Sequence, residues 1–232
     1  MSTSEPEPPP MGWDMVFPGE EVEIGPRVTE IRRLSSATRR MIEELMSTSA
    51  SIDAVAEAAE LVEGAVELLA GHPHDRPEDH VSESAVAGDP GSFLEFSPLI
   101  GKSNPIAPPL ELALVDGRIV GTAVFGSAYE GPPGHVHGGH IAAAFDEVLG
   151  MVQSTTKKPG MTGLLSVRYR SPTPLHEVLT FSGEVVKVEG RKIFTRATLH
   201  HGETLCAESE GLFISIDFTR FADLAGGRSS GG

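Results

Sequence analysis

The sequence contains only one cysteine, Cys206, among its 232 residues, so no disulfide can form within the chain. It also lacks any apolar run that approaches the roughly 20 residues needed for a membrane-spanning helix. Residues 1–10 are rich in Ser, Glu and Pro and have neither a basic start nor an apolar stretch, unlike a secretory signal. We therefore expect a cytoplasmic chain with one domain of ordinary size and an extension.

Basic residues are also scarce, with 18 Lys and Arg against 33 Asp and Glu, a net charge of −15. This balance argues against nucleic-acid binding, which requires a basic surface. Residues 155–200 are the exception, with eight Lys and Arg against three Glu. Such a locally basic rim suits a small polyphosphate ligand. Basic side chains that protect exposed strand edges would give the same pattern, so both interpretations stay open.

Composition divides the chain into five parts. Residues 1–26 have an excess of Pro and Glu and predict a disordered or extended lead-in. Apolar residues at helical spacing in 27–70 predict two amphipathic helices in a hairpin extension, used for packing or oligomerisation. Residues 71–107 are rich in Gly, Pro, His and Asp and predict a connector. The main domain is expected at 108–220, followed by a flexible tail at 221–232.

The connector contains a group of histidines and aspartates that resembles a metal site in composition only. The group comprises His72, His74, Asp75, Asp79 and His80. Their spacing matches no established zinc pattern, and no second group of ligands lies nearby in the sequence. We therefore predict no metal.

After residue 109 the apolar pattern changes to the two-residue period of β-strands. Predicted strands cover residues 110–115, 118–125, 163–170, 178–189, 192–200 and 204–217. A helix is predicted at 138–154, between the second and third strands, which gives the order β-β-α-β-β-β. Short hairpin turns make the sheet antiparallel, and its one apolar helix must lie against or inside the curve of the sheet. The predicted fold class is α+β.

The helix at 138–154 begins at a His-Gly-Gly corner and carries two carboxylates, Asp146 and Glu147, among apolar residues. Because it has no polar face, we expect it to be largely buried. Burying a carboxylate is costly unless the group is paired or has chemical work to do. A helix that starts on glycines offers free backbone N–H donors to a carbonyl oxygen or an anion. The pattern suggests a polarised acyl group and a carboxylate that acts on it. Glu147, about 100° around the helix from Asp146, is expected to meet solvent or a basic partner.

Five segments, in order over about residues 108–218, carry a resemblance to a known family. They are Glu130-Gly-Pro-Pro-Gly134, His137-Gly-Gly139, Asp146 nine residues after His137, Tyr169-Arg-Ser-Pro-Thr-Pro-Leu175, and Gly190-Arg-Lys192. Together they resemble the hotdog-fold acyl-coenzyme A thioesterases, in particular the phenylacetate-type group. In that fold an antiparallel sheet wraps a central helix.

The resemblance implies a homodimer that hydrolyses acyl-coenzyme A to a free acid and coenzyme A, with the substrate at the subunit junction. Coenzyme A would be part of the substrate, so no separate cofactor is expected. The N–H of Gly138 would hold the thioester carbonyl, and Asp146 would be the nucleophile or general base. Thr162 would orient that carboxylate or a water molecule. His137 is expected mainly to cap or shape the glycine turn, with contact to the carbonyl as the lesser alternative.

Substrate binding is expected at five further residues. Gly139 would let the substrate approach the backbone, and the coenzyme phosphates would meet Arg168, Arg170, Arg191 and Lys192. A simple polar turn at Gly190-Arg-Lys192 is the alternative for the last two.

Two features constrain the mechanism. Asp146 lies about 10–12 Å along the helix from the glycines, at 1.5 Å per residue, so each site requires Gly138 from one subunit and Asp146 from an antiparallel partner. Some relatives carry an Asn six residues before the motif histidine, where it helps to hold water, but this chain has Gly131 there.

Other functions remain open. A histidine general base would instead favour hydration or dehydration of an enoyl thioester on the same fold. A non-catalytic acyl-coenzyme A binding or scaffold protein would show nearly the same fold signals. Separately, a buried structural role for Asp146, bonded to backbone or hydroxyl groups, is an alternative to the catalytic one. The acyl group, and the choice between a dimer and a dimer of dimers, cannot be derived from these patterns.

Overall fold

A computed structural model describes residues 25–73, 95–108, 110–158 and 160–215. Residues 1–24 of the expected lead-in, residues 74–94 of the connector and the tail at 221–232 lie outside this part of the chain. His74, Asp75, Asp79 and His80 lie outside it as well.

Six strands form one antiparallel sheet with the order β1-β2-β4-β5-β6-β3. They are β1 (Glu111–Val115), β2 (Arg118–Val124), β3 (Gly160–Tyr169), β4 (Val178–Glu189), β5 (Lys192–His201) and β6 (Thr204–Ser215). Hairpins connect β1 to β2, β4 to β5 and β5 to β6, as the alternating pattern predicts. Strands β1 and β3 form the two edges of the sheet.

Strand β3 begins three residues earlier than the apolar pattern predicts. Gly160, Met161 and Thr162 already pair with β6, and the register then shifts between Thr162 and Leu164. Because a bulge moves the side chains that follow it to the opposite face, the alternation is interrupted at Gly163. Residues 160–162 therefore fall outside the two-residue alternation that predicts the rest of the strand.

One face of the sheet packs against a central helix, which supplies much of the core. In the order of elements that the structure describes, this is the third α-helix, α3 (Gly138–Ser154), and its bounds equal the predicted ones. Strands β2 to β6 all contact it. Its buried residues are Ile141, Ala144, Phe145, Val148, Leu149, Met151, Val152 and Gln153. Cys206 is completely buried in the same core, where it packs as a small apolar residue.

The first helix, α1 (Pro26–Ser47), lies against the domain through polar contacts. The Ser35 hydroxyl donates to the backbone oxygen of Ser103 at 2.7 Å. Further along, the Glu43 carboxylate accepts from the Ser127 hydroxyl at 2.6 Å and from the Ser127 backbone N–H at 2.8 Å. These contacts fix α1 at two points more than one helical turn apart.

Residues 95–108 pack closely on the domain, although the sequence analysis assigns most of them to the connector. Glu95, Ser97 and Ser103 are buried in this segment. Glu95 forms an ion pair with Arg32 of α1 and accepts from the Ser103 hydroxyl. Burial alone would raise the pKa of Glu95, but the hydrogen bonds from Arg32 and Ser103 lower it below its ordinary value. Buried polar pairs of this kind have no periodicity, so the sequence pattern does not reveal them.

The second helix, α2 (Ile52–Ala70), is capped by Ser51, whose hydroxyl accepts from the Ala54 N–H at 3.3 Å. No residue of α2 is buried. Both predicted helices are therefore present, but they do not form a packed hairpin within one chain. Within the described residues, none of the helices is both long enough and apolar enough to span a membrane.

Candidate active site

His137 caps the amino terminus of α3. Its Nδ1 atom accepts a hydrogen bond from the Gly139 N–H at 3.0 Å, and its own backbone N–H donates to the Tyr129 oxygen at 2.8 Å. The capping geometry matches the main expectation for this histidine. It also occupies the Gly139 N–H, so that amide does not act as a second donor to a ligand in this arrangement.

Gly138 leaves its backbone N–H open at the start of α3. That N–H has no hydrogen-bond partner among the described residues, as expected for the first turn of a helix. The Gly138 carbonyl accepts from the Tyr169 hydroxyl at 2.7 Å. A Cβ atom at position 138 would lie 3.2 Å from the Tyr169 ring, so glycine fits this contact best. No individual role was predicted for Tyr169, although this residue begins one of the five motif segments.

Gly131 occupies the position where some relatives have an asparagine. A Cβ atom there would lie 2.7 Å from the Cα of His137, which is closer than real Cβ contacts. No larger side chain fits without moving the backbone at the start of α3. Glycine at position 131, in place of the asparagine of some relatives, therefore suits the close packing of this corner.

Asp146 and Thr162 form a direct pair between α3 and the first residues of β3. The Thr162 hydroxyl donates to Asp146 Oδ1 at 2.9 Å. The structure thus brings together two residues that are 16 positions apart and that the family resemblance links. Both are exposed in the single chain, whereas the apolar helix predicts a buried carboxylate. The side of α3 that carries Asp146 is not covered by the chain's own sheet.

The Gly138 amide and Asp146 lie on the same helix, about 12 Å apart along its axis at 1.5 Å per residue. A thioester carbonyl is only a few ångströms across. One chain therefore cannot present both groups to one carbonyl. A site that uses both groups requires a second subunit, as expected from the sequence.

Glu147 is not fully exposed, and it pairs with no basic side chain among the described residues, in contrast to the sequence expectation. It is half-buried beneath residues 95–108, where the Ser97 hydroxyl lies 3.5 Å from its Oε2 atom. Burial, followed by the nearby charge of Asp146, raises the pKa of Glu147 from 4.5 to about 7. The composition of the covering segment predicts a connector, so the sequence pattern does not reveal this environment.

Arg168 and Arg170 do not lie beside Asp146. Leu165 and Val167 face the core, so by strand alternation Arg168 points to the opposite face of the sheet. Both arginines form ion pairs with Glu208, and their hydrogen bonds lower the pKa of that carboxyl, with Arg170 contributing most. Within one chain, this arrangement separates both arginines from the Asp146–Thr162 pair.

Arg191 and Lys192 lie at the end of the sheet that carries Thr162. They follow Gly190 in the β4–β5 turn, and Arg191 Nε donates to the Ser215 backbone oxygen at 2.9 Å. Lys192 is opposite Ile214 in β6, which is itself opposite Met161 in β3. Since neighbouring strands are about 4.8 Å apart, the basic turn lies roughly 10 Å from the start of β3.

Two further histidines surround the helix corner. His140 makes edge contacts with the rings of Tyr129 and His137, and burial, then His137, lowers its pKa. His135 Nδ1 lies 2.8 Å from the Pro133 oxygen. In the part of the chain that the structure describes, no three His, Cys, Asp or Glu side chains are arranged to hold a metal ion.

Comparison with known proteins places these features in a family. The model of the Thioesterase superfamily matches residues 133–208, which include the helix corner, Asp146 and Thr162. A crystal structure of a thioesterase superfamily protein is 35% identical and superposes with a TM-score of 0.69, covering 80% of this chain and 90% of that one. The chain belongs to the thioesterase superfamily. Its antiparallel sheet and central helix thereby confirm the expected hotdog fold.

Curated relatives carry a more specific name. The acyl-coenzyme A thioesterase THEM4 of Mus musculus is 35% identical over 105 residues, which are 44% of this chain and 45% of that protein. The protein of the same name from Xenopus laevis is 39% identical over 93 residues, or 39% of this chain and 42% of that protein. The chain thus spans less than half the length of the curated relatives that it matches.

The raised pKa of Glu147 predicts a pH-dependent stability. Between pH 4.5 and about 7 the folded chain keeps a proton that the unfolded chain has lost, so the free energy of unfolding falls as the pH rises through this window. Glu147→Gln mimics the neutral form at every pH. We expect it to unfold like wild type in urea at pH 4 but to be more stable by about 3 kcal/mol at pH 8.

Glu203→Gln, in the exposed β5–β6 turn, is the matched control and should follow wild type at both pH values. A Glu147→Gln chain whose stability falls with pH as steeply as that of wild type would contradict the assignment.

Proposed function

We propose that this chain is an acyl-coenzyme A thioesterase, which hydrolyses the thioester to a free acid and coenzyme A. The contact between Asp146 and Thr162 is the observation that carries the proposal, because it sets a carboxylate beside a hydroxyl at an open position of a thioesterase fold. Two relatives that share this domain are named acyl-coenzyme A thioesterase, which supports the same activity.

The proposed chemistry uses the carboxylate and the open amide together. The Gly138 N–H donates to the thioester oxygen and stabilises the negative charge that develops there, a contribution of about 3 kcal/mol for one such donor. The positive end of the α3 dipole acts in the same direction. Asp146 accepts the proton of a water molecule, the water oxygen bonds to the carbonyl carbon, and the C–S bond then breaks to release the coenzyme thiolate. A direct attack by Asp146, followed by hydrolysis of the anhydride, uses the same groups.

The proposed active unit is a homodimer with shared sites. The separation of Gly138 and Asp146 on one helix requires a second chain, and the single chain leaves a suitable surface open. Strand β3 is an edge strand of ten residues, and Leu164 and Met161 on it are 60% and 43% exposed. An unpaired edge with apolar side chains next to the candidate carboxylate is a natural place for a partner strand.

We place the coenzyme phosphates at the basic turn of Arg191 and Lys192. This turn lies at the same end of the sheet as Thr162, and both side chains are exposed. Arg168 and Arg170 are already paired with Glu208 on the other face. The enzyme would act on acyl groups of lipid metabolism in the cytoplasm, where a buried Cys206 remains a thiol.

Asp146→Asn tests the function itself. It preserves the shape of the side chain but removes its basicity, so we expect thiol release from acyl-coenzyme A esters to fall at least 100-fold, the usual range for a lost general base. Asp116→Asn is the matched control, since Asp116 has a φ of 49° in the β1–β2 turn, a conformation that Asn also adopts.

The assay should cover acyl-coenzyme A esters of several chain lengths. Wild-type chain that binds these esters but releases no thiol would identify a binding or scaffold protein and end the enzymatic proposal.

Mixing two inactive variants tests the shared site. Gly138→Pro removes the N–H donor at the first helical position, where the φ of proline is acceptable. If each site takes Gly138 from one chain and Asp146 from the other, heterodimers of Gly138→Pro with Asp146→Asn contain one intact site. An equal mixture should then recover about a quarter of wild-type activity after exchange of subunits, as random pairing predicts. No recovery despite heterodimers detected by mass would mean that the site lies within one chain.

The phosphate assignment predicts a change in KM. Arg191→Ala combined with Lys192→Ala should raise KM for acyl-coenzyme A several-fold, with a smaller change in kcat, because phosphate binding is the same in the ground and transition states. The effect should be larger at low salt, where charges are less screened. The double variant Arg168→Ala with Arg170→Ala is the comparison, and an equal rise in KM there would contradict the separation of the two faces.

A further inference from the structure

Helix α2 exposes an unusually apolar surface. No residue of this helix is buried, and Ile52, Leu61 and Leu68 are 88%, 71% and 68% exposed. An isolated helix of 19 residues is only marginally stable in water. Among the residues that the structure describes, α2 therefore lacks the packing that normally stabilises a helix of this composition.

The apolar and the acidic residues of α2 lie on separate faces of the helix and follow a seven-residue period. With Val55, Val62 and Leu69 at position a of a heptad, positions a, d, e and g hold only apolar residues. These are Ile52, Ala54, Val55, Ala58, Ala59, Leu61, Val62, Ala65, Val66, Leu68 and Leu69. All acidic residues fall at b, c and f, namely Asp53, Glu57, Glu60, Glu63 and Glu67. A face that spans four heptad positions is wide enough to pack against two neighbouring helices.

The charges of α2 indicate which partner suits this face. The helix has five acidic residues and no basic one. An interfacial membrane helix usually carries Lys and Arg on its polar face, so an anionic lipid surface is disfavoured. In contact with another α2, by contrast, every carboxylate would point away from the seam. Like charges thus do not oppose self-association through positions a, d, e and g.

Helix α1 offers a second apolar strip beside this one in the chain. Its polar side contacts the domain, whereas Leu34, Met41 and Leu45 are 46%, 37% and 63% exposed along its outer side. Their spacing of seven and four residues keeps them on one face. Helices α1 and α2 are separated by only residues 48–51.

We propose that α1 and α2 form an interface with the same helices of a second copy of this chain, separate from the thioester site. The estimated contact area indicates that both helices of each copy take part in the interface. A strip about 10 Å wide along α2 covers roughly 280 Å² per copy, or less than 600 Å² in total. The α1 strip from Leu34 to Leu45 adds roughly 180 Å² per copy, which brings the total to roughly 900 Å², close to the roughly 1,000 Å² expected of a specific interface. None of these residues contacts Asp146 or Thr162, so failure of this proposal and failure of the proposed function are distinguishable.

Cysteine cross-linking in the full-length chain tests the contact. Val62 lies near the middle of α2, so twofold-related copies bring the two Val62 positions together whichever way the helices run. We expect mild oxidation of Val62→Cys to give a covalent dimer at least about tenfold faster than Glu63→Cys, on the acidic face. Wild type is the blank, because its only thiol, Cys206, is buried.

A charged variant gives an independent measurement. Val62→Glu places a carboxylate in the proposed contact between α2 helices. It should raise the dissociation constant of the complex held by α1 and α2 at least about tenfold, as measured by sedimentation. Ala56→Glu adds the same charge to the acidic face and should leave that constant within about threefold of wild type. Hydrogen exchange should show protected α2 amides in wild type and loss of that protection in Val62→Glu.

Equal cross-linking at positions 62 and 63, or equal dissociation constants for the two glutamate variants, would overturn the proposal. Binding of α2 to lipid vesicles in place of self-association would also overturn it. Since α2 contributes no buried residue, the thioesterase domain of each variant should keep its fold, which circular dichroism checks.

Discussion

The packing of α3 against the sheet is the constraint on which the candidate site depends. Eight residues of this helix are buried, and five strands contact it, so neither its direction nor its rotation can change without opening the core. That packing fixes two things at once. It aims the free amide of Gly138 along the helix axis and turns Asp146 toward the uncovered side, where Thr162 meets it. Groups held on a rigid helix are placed more precisely than groups on loops, and the Thr162 hydroxyl supports the Asp146 side chain further.

The same packing keeps the Gly138 amide and Asp146 of one chain too far apart to act on the same carbonyl. A helix separates its own amino terminus from its middle by a fixed rise per residue, and no side-chain movement shortens that distance. The exposed apolar edge of β3 beside Asp146 is a liability for a chain that stays alone. Both difficulties are resolved if a second chain covers the edge and contributes its helix end. Dimerisation then serves stability and chemistry through one contact.

Sequence patterns predicted the parts of the fold that repeat with a fixed period. The alternation of β4 and the apolar run of α3 gave the bounds that the structure shows, because burial on one face or on all sides leaves a direct mark on composition. Strand β3 was placed three residues late because a bulge at Gly163 interrupts its alternation. Residues 95–108 escaped notice since ion pairs and hydroxyl contacts, such as Glu95 with Arg32, hold them in place.

The candidate site was less predictable from periodicity than the fold was. The family resemblance linked Asp146 to Thr162, whereas no periodicity could show that residues 16 positions apart would meet. The charge of residues 155–200 identified a basic region but not its distribution over two faces. The placement of Arg168 was in fact available from the sequence, because Leu165 and Val167 point to the core and Arg168 must alternate with them.

The contrast between Asp146 and Glu147 shows how position on a helix assigns different properties to neighbouring carboxylates. Asp146 lies on the open side and bonds to a hydroxyl, whereas Glu147 is covered and its pKa rises to about 7. The cover is the segment that Glu95 attaches to Arg32 of α1, and Ser97 of that segment lies against Glu147. Residues 95–108, which lie outside the family match and are joined to α1 through Glu95, therefore contact the helix that carries the candidate catalytic carboxylate. Because burial under this segment raises the pKa of Glu147, residues 95–108 help to determine the electrostatic environment of the proposed chemistry.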